Sequence, residues 1–434
     1  MHKSNKKIIL DSVIIGSALF AMFFGAGNMI FPPYLGFKSG TEWFTGFLGY
    51  YIADIGLAVV AILSQIKTEG HKNLLSPLGS SFGKVMIFVI IMCIGPIISI
   101  PRTAATTFEL SVQPLAPKLN MAVFYIIFFV FIALLSIKKS AVVDIVGKFL
   151  TPVLFVGLLL LIVMGIITPM GEIELAARTE SVIGDGIEAG YQSMDVLAAI
   201  VFGMLILNSA SAKGHTDPSS KAKVVAGAGI VAGIGLLVIY LGLTYLGATA
   251  SSNYDMHIYR TQLLSSIIET LLPGSFGSVF FAVVAGFACV STAVALTSAA
   301  AEYLEGVTKG KVKYSLFVLI ICGFGAIISL VGVESLITFA SPVLSVVYPP
   351  VLVLVVLSFF GEKLGKISRR CGAYTALVFG FLDALSSFSL SLPFVSELPF
   401  AKLGLAWVVP SLIVFLIGVA IERISNYKLN KRSV

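Results

Sequence analysis

Apolar residues run together in long uninterrupted stretches, without the two-residue alternation of a half-buried strand or the single apolar face of a soluble helix. A hydrocarbon crossing needs about 20 such residues in a helix. About twelve runs of this kind separate along the chain, over residues 8–36, 42–65, 80–109, 120–137, 141–168, 187–212, 222–250, 273–303, 312–332, 335–360, 371–391 and 401–421. They are far longer than the strands of a membrane barrel, and a helix satisfies its own backbone in lipid. The predicted architecture is therefore an all-α integral membrane bundle of about 12 transmembrane helices. Composition agrees: 57% of the 434 residues are hydrophobic and only 12% charged, where a soluble chain has roughly a quarter charged. The connections are too short for a soluble domain, so residues 1–434 read as one transmembrane domain.

The net charge of +7 raises nucleic acid as a partner, and its distribution excludes it. With the amino terminus in the cytoplasm, Lys3, Lys6, Lys7, Lys138, Lys139, Lys213, Lys221, Lys309, Lys311, Lys313, Lys363, Lys366, Arg369 and Arg370 fall in cytoplasmic segments or at their edges. Glu172, Glu174, Glu180, Asp185 and Glu188 crowd the opposite loops. That asymmetry predicts both termini inside and leaves no basic stripe for phosphates. The Lys cluster before the first run also fits a cleavable signal peptide, but the run is too long and lacks a small-residue cleavage site. Cys93, Cys289, Cys322 and Cys371 lie in runs or at a cytoplasmic edge and read as packing residues. His2, His71, His215 and His257 are far apart in sequence, so neither a zinc site nor a haem is suggested and no cofactor is expected.

The first run contains "FFGAGNMIFPP", Phe23 to Pro33. Glycine frees the backbone, and Pro32 and Pro33 lack the N–H that continues a helical ladder. One reading is a glycine packing face with a proline kink. The other is two half-helices, an arrangement tolerated in lipid only where it lines a cavity or is covered by protein. In that case the half-helix starting near Asn28 aims free N–H groups at an anion, and the carbonyls ending the first half suit a cation. A carboxylate beside a small monovalent ion fits both ends.

A second irregularity is "EAGYQSMDVLAAIVFG", where Gly190, Ser193 and Asp195 precede a continuous apolar helix. An aspartate at bilayer depth costs roughly 2.5–3.5 kcal/mol and asks for a reason, unless Asp195 merely caps its helix. "TPVLFVGLLLLIV" from Thr151 and "SPVLSVVYPPVLVLVV" from Ser341 are similar and follow the two irregular spans at comparable distances. This spacing predicts five spans that recur, the second copy inverted: residues 8–168, then 181–360, with two additional helices over 371–421. In "GFACVSTAVALTSAAAEYL", Ala288, Ser291 and Thr292 share a helical face. With carbonyls from Ala21 and Phe24 they complete a five-oxygen sodium cage without a carboxylate; alternatively the hydroxyls serve packing. Asp54 and Arg102, within or near spans, are expected to pair with each other. An intramembrane enzyme would need a metal cluster or a nucleophile with its base at matching depth, and neither is apparent.

On "ALFAMFFGAGNMIFPPYLG" (Ala18 to Gly36), "GYQSMDVLAAIVFG" (Gly190 to Gly203) and "ACVSTAVALTSAAAEY" (Ala288 to Tyr303), the chain resembles the bacterial branched-chain amino acid:cation symporter family, within the amino acid–polyamine–organocation group. The resemblance runs through nearly the whole length. It implies a leucine-transporter-like fold of five plus five inverted helices, broken in helices 1 and 6, and two further helices. It implies uptake of leucine, isoleucine and valine with Na+ across the bacterial cytoplasmic membrane. Carried over by position, Na+ would meet backbone oxygens of Ala21, Phe24 and Ala288 and the hydroxyls of Ser291 and Thr292. The substrate carboxylate would meet N–H groups of Gly25, Ala26, Gly27 and Asn28, and its ammonium would meet carbonyls near Gln192, Ser193 and Asp195. Phe202 and Ile98 are candidates for the side-chain pocket. A same-fold carrier driven by H+, with Asp195 as proton carrier, and an uncoupled channel are the alternatives.

Overall fold

The computed structural model describes residues 2–68, 71–137, 151–174, 176–361, 364–386, 388 and 392–432. Lys138, Lys139, Lys363 and residues 141–150 of the fifth predicted run lie outside them. All regular structure among the described residues is helical: α1 His2–Phe23, α2 Ala26–Ser39, α3 Trp43–Tyr51, α4 Leu57–Thr68, α5 Ser80–Met92, α6 Ser99–Thr107, α7 Met121–Ser136, α8 Thr151–Ile167, α9 Val182–Ser193, α10 Asp195–Ala212, α11 Pro218–Thr249, α12 Arg260–Leu271, α13 Ser275–Val307, α14 Tyr314–Ile328, α15 Val333–Ser358, α16 Lys366–Ser386 and α17 Val408–Arg432, besides shorter turns. Eight of the described helical stretches are long and apolar enough to cross a membrane, and α7 and α8 are shorter apolar helices. Each predicted run overlaps a described helix. The amphipathic α12, in the connection after α11, was not among them.

Exposed apolar side chains such as Ile126 and Leu134 on α7, Ile166 on α8, Ile327 on α14 and Leu416 on α17 face outward. Apolar residues there need no water-soluble cover, which is what a lipid-facing surface requires. Inside, α1 and α2 pack against α11, while α9 packs against α3 and α10 against α4. α13 lies along α6, and α16 joins α15 to the peripheral α17.

Both irregular sequences are true interruptions. α1 closes with Phe24 N–H donating to Phe20 O at 2.8 Å; Gly25 is extended (φ −121°, ψ −158°), and α2 begins with Met29 N–H donating to Gly25 O. The break therefore lies at Phe24 and Gly25, not at the prolines. Pro32 and Pro33 fall inside α2, where their missing N–H groups leave the Asn28 and Met29 carbonyls without helical donors. Between α9 and α10 a single residue, Met194, adopts the left-handed conformation (φ 68°, ψ 15°). For a non-glycine residue that costs about 1–2 kcal/mol. Asp195 is the first residue of α10 rather than its N-cap, which is Met194.

Three π-helical segments interrupt the neighbouring helices: Ile52–Gly56 between α3 and α4, Cys93–Ile97 before α6, and Phe108–Val112 after it. Each widens the ladder by one residue and rotates the helix beyond it. The first carries Asp54, and the second, kinked at Gly95 and Pro96, sets the direction of α6 and hence of Arg102.

Candidate functional site

The two breaks face each other. Asn28, in the first turn of α2, donates from Nδ2 to Asp195 Oδ2 at 2.8 Å and also to the hydroxyl of Tyr240 from α11. One amide thus ties α2, α10 and α11 together, and all three side chains are buried. The Tyr240 ring also stacks on Phe24, with centroids 6.1 Å apart. Burying a carboxylate in this setting is costly unless donors converge on it, and Asn28 supplies one.

The expected Asp54–Arg102 pair does not form: no ion pair within 4.0 Å joins them. Each is met instead by groups at the end of α9. Ser193 Oγ lies 2.5 Å from Asp54 Oδ1 and 2.5 Å from the Gly190 carbonyl, so its one O–H proton serves one of two acceptors at a time. Arg102 donates from Nη1 to Gln192 O at 2.6 Å and from Nη2 to Ser193 O at 3.3 Å. These are carbonyls freed at the end of α9 by the break. They are the ones expected to receive a substrate ammonium, and a guanidinium occupies both.

The cage residues come together. Ser291 Oγ lies 2.7 Å from Ala21 O and 2.8 Å from Ala288 O, donating its one proton to either, and Thr292 Oγ1 donates to Met22 O at 3.0 Å. Two of the predicted oxygens, the Ala21 and Ala288 carbonyls, therefore lie against a third, the Ser291 hydroxyl, and a fourth is on the adjacent residue. Phe24 is buried at the end of the same half-helix. A Cβ on Gly25 would come within 2.7 Å of Thr292 Oγ1, so glycine is required there by the approach of α13.

A cavity of about 10 Å³ lies between the breaks, lined by Gly25, Ala26, Gly27, Asn28, Ser193, Asp195 and Thr292 together with Arg102, Ser99, Ile94 and Phe202. It is too small for an aliphatic side chain, so the site is collapsed in this state. Ile98 is buried but does not line it; Ile94 and Ser99 of the same stretch do. Gln192 faces instead a cavity of about 200 Å³ shared with Phe31, Tyr34, Lys38, Asp185 and Arg260. On the opposite side, a cavity of about 990 Å³ reaches from Ile200 and Met204 of α10 to Lys84 and Lys309. This wider cavity opens on the face where His215, after α10, meets Asp11 of α1 at 2.8 Å.

Sequence reasoning missed Tyr240 and the placement of Arg102. A lone tyrosine in the otherwise aliphatic "LLVIYLGL" is the signal that was available for the first, since a buried hydroxyl seeks a partner. For the second, the buried charge was visible but its partners are backbone atoms, which leave no residue-type signature.

Two interrupted helices crossing at a buried polar site, walled by complete helices and flanked by a cavity on each face, define a membrane transporter with a central binding site. Solved structures with this fold are transporters of the leucine-transporter-like class. They include a Na+-coupled sialic acid symporter (TM-score 0.63, 12% identity, 94% of this chain and 90% of that one) and Mhp1, a nucleobase-cation-symport-1 family transporter (0.64, 13%, 95% and 92%). MhsT, solved in complex with L-phenylalanine, is another (0.55, 17%, 95% and 97%). The chain belongs to the branched-chain amino acid transport protein family, which it matches over residues 8–425. It is 34% identical over 423 residues to the branched-chain amino acid permease BrnQ of Escherichia coli strain K12, covering 95% of this chain and 96% of that one. To the branched-chain amino acid permease BraB of Bacillus subtilis strain 168 it is 34% identical over 428 residues, covering 94% and 95%.

Proposed function

We propose that this protein is a secondary symporter that carries leucine, isoleucine or valine inward with Na+, making and breaking no covalent bond. The observation that carries the coupling is the cluster of Ser291, Thr292 and the Ala21, Met22 and Ala288 carbonyls. It is a set of neutral oxygens with no carboxylate, which suits a weakly held monovalent ion. Na+ would be coordinated by Ala21, Phe24, Ala288, Ser291 and Thr292. The substrate carboxylate meets the N–H groups of Gly25 to Asn28, and the ammonium lies near Gln192, Ser193 and Asp195. With the Gln192 and Ser193 carbonyls already accepting from Arg102, the Asp195 carboxylate is the counter-charge for the ammonium. Ile94 and Phe202 wall the aliphatic side chain.

Alternating access follows if the α1–α2 and α9–α10 pairs rock against the remaining helices, opening the small central cavity to one flank at a time. The packing supports two inverted repeats over 8–168 and 181–360: α1–α2 rests on α11, and α9–α10 rests on α3–α4, which is the exchange an inverted pair would produce. The basic segments then face the cytoplasm, with both termini inside and the wide cavity opening inward.

H+ coupling through Asp195 is the competing reading, because that carboxylate lies in the cavity wall. Purified protein in liposomes separates the two. An inward Na+ gradient at equal pH is expected to concentrate labelled leucine several-fold, whereas a pH gradient in choline medium is not. Concentration driven by the pH gradient alone would establish the proton instead, and fast, unsaturable equilibration would establish a channel.

A further inference from the structure

Among the described residues Arg102 has no carboxylate partner within 4.0 Å, yet its side chain is only 2% exposed. Both of its hydrogen bonds come from the terminal nitrogens, and its Nε–H is buried without an acceptor. A guanidinium has five donors, and the pair formed by Nε and the remaining Nη2 hydrogen matches the two oxygens of a carboxylate. That edge is free. It ends at the first break: a Cβ on Gly27 would lie 2.8 Å from Nη2. Gly27 is in the first turn of α2, where unpaired N–H groups give the helix its positive end. A buried cation beside a helix N-terminus draws an anion into the space between them, and the Asp195 carboxylate in the wall of the same cavity is not within 4.0 Å of it.

We propose that Arg102 binds the substrate carboxylate through its Nε and Nη2 edge, in concert with the N–H groups of α2, while its other hydrogens keep the end of α9 in register. The proposal rests on the amino acid transport reading and assigns that site its anion-selecting charge. Arg102 thereby joins the two breaks through the ligand: a carboxylate held by Arg102 and α2 links α9 to α2. Selection for an α-carboxylate follows from chemistry, since an amide in the same place would present an N–H₂ donor to a wall of donors.

The test compares leucine with leucinamide, which keeps the ammonium and the side chain and replaces the carboxylate with a neutral amide. For purified wild type, Arg102→Lys and Arg102→Gln, each ligand is titrated for the concentration giving a half-maximal rise in melting temperature, a readout that also reports folding. Wild type is expected to prefer leucine by at least about 100-fold. Arg102→Gln should lose about 100-fold for leucine while leucinamide moves less than about threefold, and Arg102→Lys should fall between, with the preference reduced about tenfold. Equal loss for both ligands, or an unchanged preference, would overturn the assignment and leave Arg102 as a brace for the break. If Arg102→Gln shows no cooperative melting, Arg102→Lys carries the same comparison. A wild type that neither takes up labelled leucine in liposomes nor is stabilised by it would instead overturn the transport reading.

Discussion

Asn28 and Asp195 are 167 positions apart and meet through a 2.8 Å hydrogen bond, so the amide works at a distance its local sequence does not reveal. The residue types at the site were legible: glycines at the first break, an aspartate at the second, and two hydroxyls on one face of α13. Their partners were less so. Asp54 and Arg102 were expected to neutralise each other because charges at membrane depth usually pair, but Asp54 binds a serine and Arg102 binds carbonyls. Main-chain acceptors are identical in every residue, so no sequence pattern announces them. Thr292→Ala removes one cage oxygen and should raise the Na+ concentration for half-maximal leucine uptake about tenfold, measured in liposomes over a Na+ series balanced with choline; an unchanged requirement would remove Thr292 from the cage. Asn28→Ala leaves Asp195 Oδ2 and the Tyr240 hydroxyl without their shared donor and should cut leucine uptake at least about tenfold. Asn28→Asp should do no better, since it places a third carboxylate beside Asp54 and Asp195.

Among the elements, the long apolar runs were readable because lipid demands them, and most of their ends fell within several residues of the observed helices; the last run, 401–421, stops well short of the end of Val408–Arg432, and the start of the fifth lies outside the described residues. The π-helical segments were not readable. A π-bulge inserts one residue and shifts the phase of the next turns, which shows only against a polar face, and helices that are apolar on most sides have none to shift. Ile52–Gly56 and Cys93–Ile97 nevertheless determine where Asp54 and Arg102 point. The second break is similarly quiet: it turns on the left-handed Met194 alone, with no glycine at the position. Met194→Val should therefore destabilise the protein by about 1–2 kcal/mol, because a β-branched side chain tolerates positive φ poorly. The expected sign is a melting temperature lowered by several degrees in detergent; an unchanged melting temperature would mean that the break adopts another conformation in solution.

The molecule as a whole is closed at its centre, with a narrow cavity on one face and a wide one on the other. On the narrow side, Phe31 lies between Arg102 and Arg260, 5.4 and 5.9 Å from its ring centre, and Arg260 is ion-paired with Glu334 at the start of α15. This layer lies between the small central cavity, which Arg102 lines, and the larger one, which Phe31 and Arg260 line. Glu334→Gln should loosen it, so that an impermeant maleimide labels Ala198→Cys, in the wall of the small central cavity behind it, about threefold faster or more, with leucine and Na+ reversing part of the gain. An unchanged rate would place the seal elsewhere. In the proposed symport, Na+ at α1 and α13 and the zwitterion between α2 and α9–α10 would share the first break. Each should therefore strengthen the other by an equal factor. The most direct test is equilibrium binding of labelled leucine to purified protein across a Na+ series at constant ionic strength. The dissociation constant for leucine should fall about tenfold or more as Na+ rises, with the reciprocal leucine-dependent gain in Na+ affinity; a leucine affinity indifferent to Na+ would contradict a shared site.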